Sequence, residues 1–386
     1  MRSCYLYNWM QPLLKKFYQT PSLLVLKLLI ITWAITKGLN YDLFTGDRSF
    51  PLAPVSDILL QVPAVFHLLL LWISLAAMML FLFIPKHAIG WMIVGLELAS
   101  CLLDQGRWQP WEYQFLFMMA AWLFLKKEHL IFTAWQLILV GIYFFSGLGK
   151  LQSGFIHDVW SGVMLRNWLG IFTTNENVFR LGYLLPLAEI AAALSLLTRR
   201  WRKFALVILI CMHLLILLMF GPLGFNRNEV IWPWNVLMIL LLFLLFFKRF
   251  FNPEHSFFMK PFSWLLIACF CLLPFLRLAG RWDNYLSFTM YSGGLTQLYI
   301  CTSDLATLQK MSVYMGSTRN GMIPCDFPVS TYQWGMKAMN AAPYPQERVY
   351  RSIARQWKKK YPGVAVKFYL FTSGFMPTVR EMDPDL

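Results

Sequence analysis

Charged side chains are scarce in this chain of 386 residues. Asp, Glu, Lys and Arg together make up 14% of it, whereas soluble domains carry about a quarter. Hydrophobic residues reach 58%, and many lie in runs such as residues 236–247 (VLMILLLFLLFF). The scarcity of charge excludes an ordinary soluble protein and favours the lipid bilayer as the solvent. In lipid such runs must be helices, because their backbone groups need internal partners.

The chain also lacks the motifs of soluble enzymes. It contains no phosphate-binding loop, no dinucleotide-binding glycine pattern and no His/Cys cluster with metal-ligand spacing. Its N-terminus has no signal-peptide pattern, because its basic residues surround a mixed polar and aromatic stretch without a small-residue cleavage site. These absences predict no metal site, and they place the candidate chemistry in the membrane region.

The net charge of +15 does not predict a nucleic-acid partner. The basic residues cluster at the ends of the apolar runs, as the signals that orient membrane helices do. We therefore expect the lipid bilayer as the main partner and no nucleic acid.

Apolar runs separated by charged breaks predict an all-α polytopic bundle of about nine transmembrane helices. The predicted spans are residues 21–36, 60–84, 88–103, 113–125, 129–148, 181–198, 204–221, 230–247 and 262–278. If the N-terminus is cytoplasmic, 13 Lys and Arg residues lie in inner segments and 7 in outer ones, which is the usual asymmetry. We expect the bacterial inner (plasma) membrane, with the C-terminus extracytoplasmic because the span count is odd.

The predicted organisation is a transmembrane domain over residues 1–278 and a small extracytoplasmic α/β domain over residues 279–386. Residues 346–360 have the spacing of an amphipathic helix, and residues 364–371 (VAVKFYLF) that of a strand. Cys301 and Cys325 fall in this domain. They form a disulfide if the domain is exported; the alternative is two unrelated thiols.

Polar groups inside apolar runs are costly and are therefore candidates for function. Lys150 ends the fifth run, where it either extends its ammonium group to the lipid headgroups or is shielded from water and acts as a base. His213 lies in the middle of the seventh run and Glu189 in the sixth. Both could instead be structural, since a buried Glu is usually paired across helices. Arg227 is a candidate for substrate binding or an ordinary surface residue.

Several short segments resemble the vitamin K-dependent γ-glutamyl carboxylases and their bacterial HTTM (horizontally transferred transmembrane) relatives. They are YFFSGLGKLQ at 143–152, LDQGRW at 103–108 followed by Glu112 and Tyr113, MHL at 212–214 with FGPLGF at 220–225, Glu189, LP at 273–274, residues 283–291, 354–360, 368–369, and MDPDL at 382–386. The segments occur in the family's order over nearly the whole chain.

The resemblance implies nine spans, a cytoplasmic N-terminus and chemistry on the far side of the membrane. It also implies that Lys150 is the base that starts oxygenation of a reduced quinone, with His213 as a second functional residue. Trp108, Trp111, Glu189 and Arg227 then become candidates for substrate binding. Trp111 stands where the family has a catalytic histidine. The sequence stops at Leu386, where the carboxylases continue into a large β-rich domain that engages protein substrates, so we do not expect peptide-glutamate carboxylation.

Three hypotheses for function follow. The first is a membrane enzyme acting on a quinol or another lipid-soluble substrate, with Lys150 as base and His213 sharing its pocket; a reduced quinone would then be the cofactor or substrate. The second is a non-catalytic membrane partner of a thiol–disulfide or respiratory redox protein. The third is a DoxX-like quinone-binding redox subunit. No repeated halves indicate a transporter.

Overall fold

A computed structural model describes residues 21–319 and 321–385. Residues 1–20, Asn320 and Leu386 lie outside the described part. The first 20 residues include Arg2, Lys15 and Lys16, which contribute to the predicted orientation, and the beginning of the predicted transmembrane domain. Leu386 ends the MDPDL segment of the family resemblance.

Nine main helices occupy the first two thirds of the described chain, one at each of the nine predicted spans. They are α1 (Pro21–Leu39), α2 (Ala64–Phe83), α3 (His87–Leu103), α4 (Pro110–Leu125), α5 (Glu128–Lys150), α6 (Leu184–Ser195), α7 (Arg202–Phe220), α8 (Ile231–Phe246) and α9 (Pro261–Ile267). Short helices Tyr41–Phe44, Glu176–Leu181 and His255–Phe258 lie between them. The structure therefore confirms a mostly helical chain.

Six helical stretches are long and apolar enough to cross a membrane. They are α1, α2, α5, α7, the stretch Glu176–Ser195 that contains α6, and the stretch Pro261–Ala279 that begins with α9. Helices α3 and α8 are apolar but shorter, at 17 and 16 residues. Helix α4 has 16 residues, of which nearly all are buried, so it is a core helix of the bundle.

The outer helices present apolar side chains outward. On α2, Phe66, Trp72 and Phe83 are exposed, and Phe83 is 78% exposed. An exposed apolar surface of this kind is typical of contact with lipid.

Helix α5 lies at the centre of the bundle, with 83% of its most apolar stretch buried. Two of its glycines allow neighbouring helices to approach closely. A Cβ atom at Gly141 would lie 2.4 Å from the carbonyl oxygen of Phe270, and one at Gly147 would lie 2.7 Å from the side chain of Ile190. Small residues at helix contacts are the usual means of close packing in membranes.

Two parts of the membrane region depart from regular α-helix. The segment after α5 is a π-helix over Phe155–Trp168, hereafter the π-segment. Helix α9 continues as a π-helix over Ala268–Leu272 and a 3-10 helix over Leu273–Ala279. Pro274 lies in the first turn of that 3-10 helix, where its missing N–H is tolerated. Single turns of 3-10 helix occupy Asp57–Gln61, Gln105–Arg107, Tyr285–Ser287 and Ser312–Tyr314.

The C-terminal region contains a four-stranded antiparallel sheet and three helices. The strands β1 (Gln297–Thr302), β2 (Val329–Ser330), β3 (Val366–Thr372) and β4 (Thr378–Glu381) pair in the order β2-β1-β3-β4. The helices are α10 (Leu305–Met311), α11 (Thr331–Met339) and α12 (Glu347–Lys360). The helix predicted at 346–360 and the strand predicted at 364–371 are thus confirmed as α12 and β3. A disulfide joins Cys301 to Cys325, whose Cα atoms are 6.0 Å apart.

The C-terminal region packs directly on one end of the helix bundle. Phe50 and Trp334 are in edge-to-face contact with ring centroids 5.1 Å apart, and Arg348 Nε donates a 2.8 Å hydrogen bond to Gln105 Oε1. Gln356 hydrogen-bonds the carbonyl oxygen of Leu52. One hydrophobic core runs from the helices into the sheet, and this contact encloses the cavity described next.

Candidate functional site

A cavity of about 560 Å³ lies where the C-terminal region covers the helix ends; we call it the junction cavity. Its membrane side is apolar and largely aromatic, and its rim is polar and charged. The lining includes Trp111, Phe220, Ile231 and Trp234 from α4, α7 and α8, Tyr285, Met290, Tyr291, Tyr332, Met336 and Tyr350 from the chain after α9, and His157, Asp158, Arg166 and Arg319 at the rim. Ligand sites typically have such a volume and a few polar groups in an apolar lining.

The rim residues come from elements that local sequence patterns do not predict. The π-segment brings His157, Asp158 and Arg166 to one wall, and π-helical turns occur often at functional sites. Arg319 is held by a 2.9 Å hydrogen bond from its Nε to the hydroxyl of Tyr299. Asn228, whose amide donates to the Tyr291 hydroxyl at 2.9 Å, completes part of the wall.

Lys150 and Glu189 form an ion pair between α5 and α6. Lys150 Nζ lies 2.7 Å from Glu189 Oε2 and 2.8 Å from Ser146 Oγ. The side chains are 14% and 4% exposed. Glu189 therefore has the cross-helix partner that a buried carboxylate requires, and the ammonium group of Lys150 turns inward to it.

His213 belongs to a separate chain of buried hydrogen bonds. Its Nδ1 lies 2.6 Å from Asn235 Oδ1, and its Nε2 lies 2.7 Å from the hydroxyl of Tyr143. Asn235 Nδ2 donates to the carbonyl oxygen of Ile231, so Asn235 Oδ1 is left as an acceptor. A neutral His213 would then donate from Nδ1 and accept the Tyr143 proton at Nε2.

The Lys150–Glu189 ion pair and the hydrogen bonds of His213 both lie near the junction cavity, but neither forms part of its lining. Ile231, which anchors Asn235, lines the cavity floor. On the other side, Gln152 Nε2 donates to the carbonyl oxygen of Gly149 at 2.8 Å and to that of Ser292, a lining residue, at 3.4 Å. Lys150 and His213 have different hydrogen-bond partners, and neither contributes to the wall of this cavity. Their roles in catalysis stay predictions.

Three other residues were predicted to bind substrate: Trp111, Trp108 and Arg227. Of these, Trp111 lines the junction cavity and the other two do not. Trp111 is buried and lines the cavity. Trp108 is half-buried against Tyr113, with ring centroids 6.4 Å apart, and lies outside the cavity wall. Arg227 is exposed. It is nevertheless close enough to Tyr332 to act on it electrostatically. Burial raises the pKa of Tyr332, and the positive charge of Arg227 opposes that rise.

Sequence reasoning missed a buried ionic cluster among α1, α2, α3 and α4. Lys37 lies in the last turn of α1 and is 1% exposed. Its Nζ is 2.7 Å from Glu97 Oε2, and Trp33 Nε1 donates to Glu112 Oε2 at 2.7 Å. The available signal was the presence of Lys and Glu within or beside apolar runs, which is rare enough to be informative.

The connection between α3 and α4 carries a second set of charges. Burial alone would raise the pKa of Asp104, but Arg48 and Arg107 outweigh it and hold that pKa below its usual value. Burial also lowers the pKa of Arg107 to about 10. Arg107 hydrogen-bonds the carbonyl oxygens of Leu43, Phe44 and Ser100 and lies 2.8 Å from His67 Nδ1. These contacts fix the connection beneath the C-terminal region.

In residues 21–319 and 321–385 no group of three or more His, Cys, Asp or Glu side chains is arranged to hold a metal ion. Comparisons with protein-family models, curated proteins and solved structures return no match to the chain.

Proposed function

We propose that this chain is an integral membrane enzyme that binds a quinol, or another lipid-soluble molecule of similar size, in the junction cavity. The observation that carries the proposal is the cavity itself: about 560 Å³, with Trp111, Phe220 and Trp234 toward the membrane and arginines at the rim. An aromatic ring can pack against such residues, while polar substituents reach the charged rim. The resemblance to the carboxylases supports a reduced quinone as this molecule.

We further propose that Lys150 is the base of the reaction. Its pairing with Glu189 supports this role, because a carboxylate at 2.7 Å offers the lysine proton a second position. The amine would become neutral when Glu189 holds that proton. The segment that follows Lys150 contacts Ser292 and Gly293 of the cavity wall, which connects the proposed base to the proposed binding site.

Variants of the full chain in lipid nanodiscs test both parts. Ala342→Phe places a large side chain at a residue that lines the cavity, and it should abolish quenching of tryptophan fluorescence by a reduced quinone. Ala191→Phe, on the outward surface of α6, is the matched control and should leave quenching unchanged. Equal quenching in both variants would reject the cavity as the binding site.

The base is tested with Lys150→Arg. Arginine keeps the positive charge beside Glu189 but does not release its proton. We therefore expect quinone binding and thermal stability close to those of the unmodified protein, with quinol-dependent oxygen consumption lost. Unchanged oxygen consumption would refute Lys150 as the base.

We also propose nine membrane spans in a bacterial inner membrane, with a cytoplasmic N-terminus and an extracytoplasmic C-terminal domain. The 13-to-7 distribution of basic residues supports this orientation. The Cys301–Cys325 disulfide supports it too, because disulfides persist in exported rather than cytosolic domains. Alkaline phosphatase fused to the C-terminus should be active in a bacterial host. If the phosphatase fusion is inactive and a cytoplasmic fluorescent reporter at the same position is fluorescent, the C-terminus is cytoplasmic and the proposed orientation is wrong.

As a second proposal, the chain is not an enzyme. It is then either a non-catalytic membrane partner of a redox protein or a DoxX-like quinone-binding redox subunit. The observation that favours it is that Lys150 is already paired and lies outside the cavity wall. In that case Lys150→Arg changes nothing that can be measured. Binding of the quinone without turnover would identify a redox subunit, and a co-purifying redox protein without quinone binding would identify a partner.

A further inference from the structure

Two carboxyl groups and one amine are completely buried together in the N-terminal half of the bundle. Lys37 comes from α1, Glu97 from α3 and Glu112 from α4, with side chains 1%, 0% and 0% exposed. Uncompensated charges are very costly in such surroundings. Since Lys37 can neutralise only one carboxylate, the charge of the second must be removed in another way.

Glu97 has the partners of an ionised carboxylate. Its Oε2 accepts from Lys37 Nζ at 2.7 Å, and its Oε1 accepts from the Ser74 hydroxyl. Both oxygens therefore have a donor, and one of the donors is a cation. Charge-assisted hydrogen bonds of this kind stabilise the ionised form.

Glu112 has a different environment. Its Oε2 accepts from Trp33 Nε1 at 2.7 Å, but its Oε1 is buried with no donor directed at it. Glu97 is close enough to act on the Glu112 carboxyl group electrostatically. A protonated carboxyl group is neutral and carries an O–H donor. A proton on Glu112 Oε1 removes the second buried charge and makes the otherwise unpartnered atom a donor.

The other ionisable groups nearby do not replace that proton. Cys101 of α3 is a neutral thiol neighbour of both glutamates. Arg107 acts electrostatically on Glu97, but its guanidinium group is held by backbone carbonyls, Ser100 and His67, with Asp104 3.9 Å away. Lys37 remains the cation that acts on Glu112.

We propose that Glu112 and Glu97 form a proton-binding site, in which Glu112 holds the proton as a neutral acid and Lys37 balances the charge of Glu97. The site lies directly behind the cavity floor. Glu112 follows the lining residue Trp111 in the chain, and the Lys37 ammonium group lies 3.6 Å from the ring centre of Phe44, which packs on Trp111 at 6.5 Å. The ligand is a proton, and the proposal does not depend on the identity of the substrate in the cavity.

Infrared spectroscopy of the full chain in nanodiscs tests the site at pH 7. A protonated carboxyl group gives a C=O band, separate from carboxylate bands, that shifts in D₂O. We expect this band in the unmodified protein and expect Glu112→Gln to remove it. The glutamine should preserve the fold, because its amide oxygen can accept from Trp33 and its NH₂ group supplies a donor where the protonated Oε1 would be. Glu189→Gln is the matched control and should keep the band, because Glu189 pairs with Lys150 and lies outside the site formed by Glu97 and Glu112.

For a third variant, Lys37→Met, we expect the opposite change in the C=O band. The substitution removes the balancing cation, so Glu97 should take up a proton as well and the band should strengthen. Absence of the band in the unmodified protein, its persistence in Glu112→Gln, or an unchanged band in Lys37→Met would each overturn the proposal. If Glu112→Gln does not fold, the unmodified protein and Lys37→Met still decide the question.

Discussion

Replacing Lys150 with methionine measures how strongly the buried ion pair holds α5 to α6. The pair has a 2.7 Å contact and side chains only 14% and 4% exposed. Removing one partner of a buried pair destabilises a protein by about 3–5 kcal/mol, because the other charge is left uncompensated. Glu189 would be that uncompensated charge.

Glu189 would remain in the interior of the bundle without a cation beside it. We therefore expect Lys150→Met to lower the free energy of unfolding at pH 7 by about 3–5 kcal/mol.

Reversible denaturant unfolding of the full chain in mixed micelles at pH 7 is the assay. Lys150→Arg is the control that keeps the charge. The double variant Lys150→Met/Glu189→Leu should recover most of the stability, because an apolar pair of similar volume replaces the ion pair. A loss below about 1 kcal/mol at pH 7, the value typical of solvent-exposed pairs, would refute the reasoning.

Three further predictions concern stability. His213→Phe should destabilise the bundle by about 1–3 kcal/mol for each buried polar partner it leaves unpaired, and adding Tyr143→Phe should recover part of this in the same unfolding assay. Reduction of the Cys301–Cys325 disulfide, which spans 24 residues, should destabilise the C-terminal region by about 3 kcal/mol. A reductant should therefore lower the thermal unfolding midpoint of the unmodified protein. The midpoint of Cys301→Ser, which has no such disulfide, should not change. Because the pKa of Asp104 is lowered in the folded state, its stabilising contribution is present above the usual pKa and is lost as the pH falls through the lowered value. Asp104→Asn should flatten that part of a stability-against-pH curve, and an unchanged curve would contradict the prediction.

The helices were predictable because each apolar run carries its own information. A run such as residues 204–221 has to satisfy its backbone hydrogen bonds internally in lipid, and the corresponding helix, α7, has nearly the same bounds. The amphipathic spacing of α12 and the alternation in β3 are equally local. For the same reason, composition could indicate contact with lipid before any contact between residues was known.

Pairings between distant residues needed the tertiary structure. The sequence indicated that Glu189 requires a partner, but nothing local selects Lys150, which is 39 positions away and meets it only because Gly147 lets α6 approach. No local pattern predicted that Tyr143 and Asn235 would contact His213. The tertiary structure shows it, because both side chains hydrogen-bond to the His213 ring.

The junction cavity is also a product of tertiary structure, since its walls come from helix ends, the π-segment and the C-terminal region. Of the candidates chosen from the sequence, Trp111 is part of that wall, whereas Lys150 and His213 lie behind it. Composition and periodicity thus determined which segments are helical and which solvent they meet, because those properties depend on neighbours along the chain. Which charges meet, and which side chains enclose a cavity, was decided by packing between segments far apart in the chain.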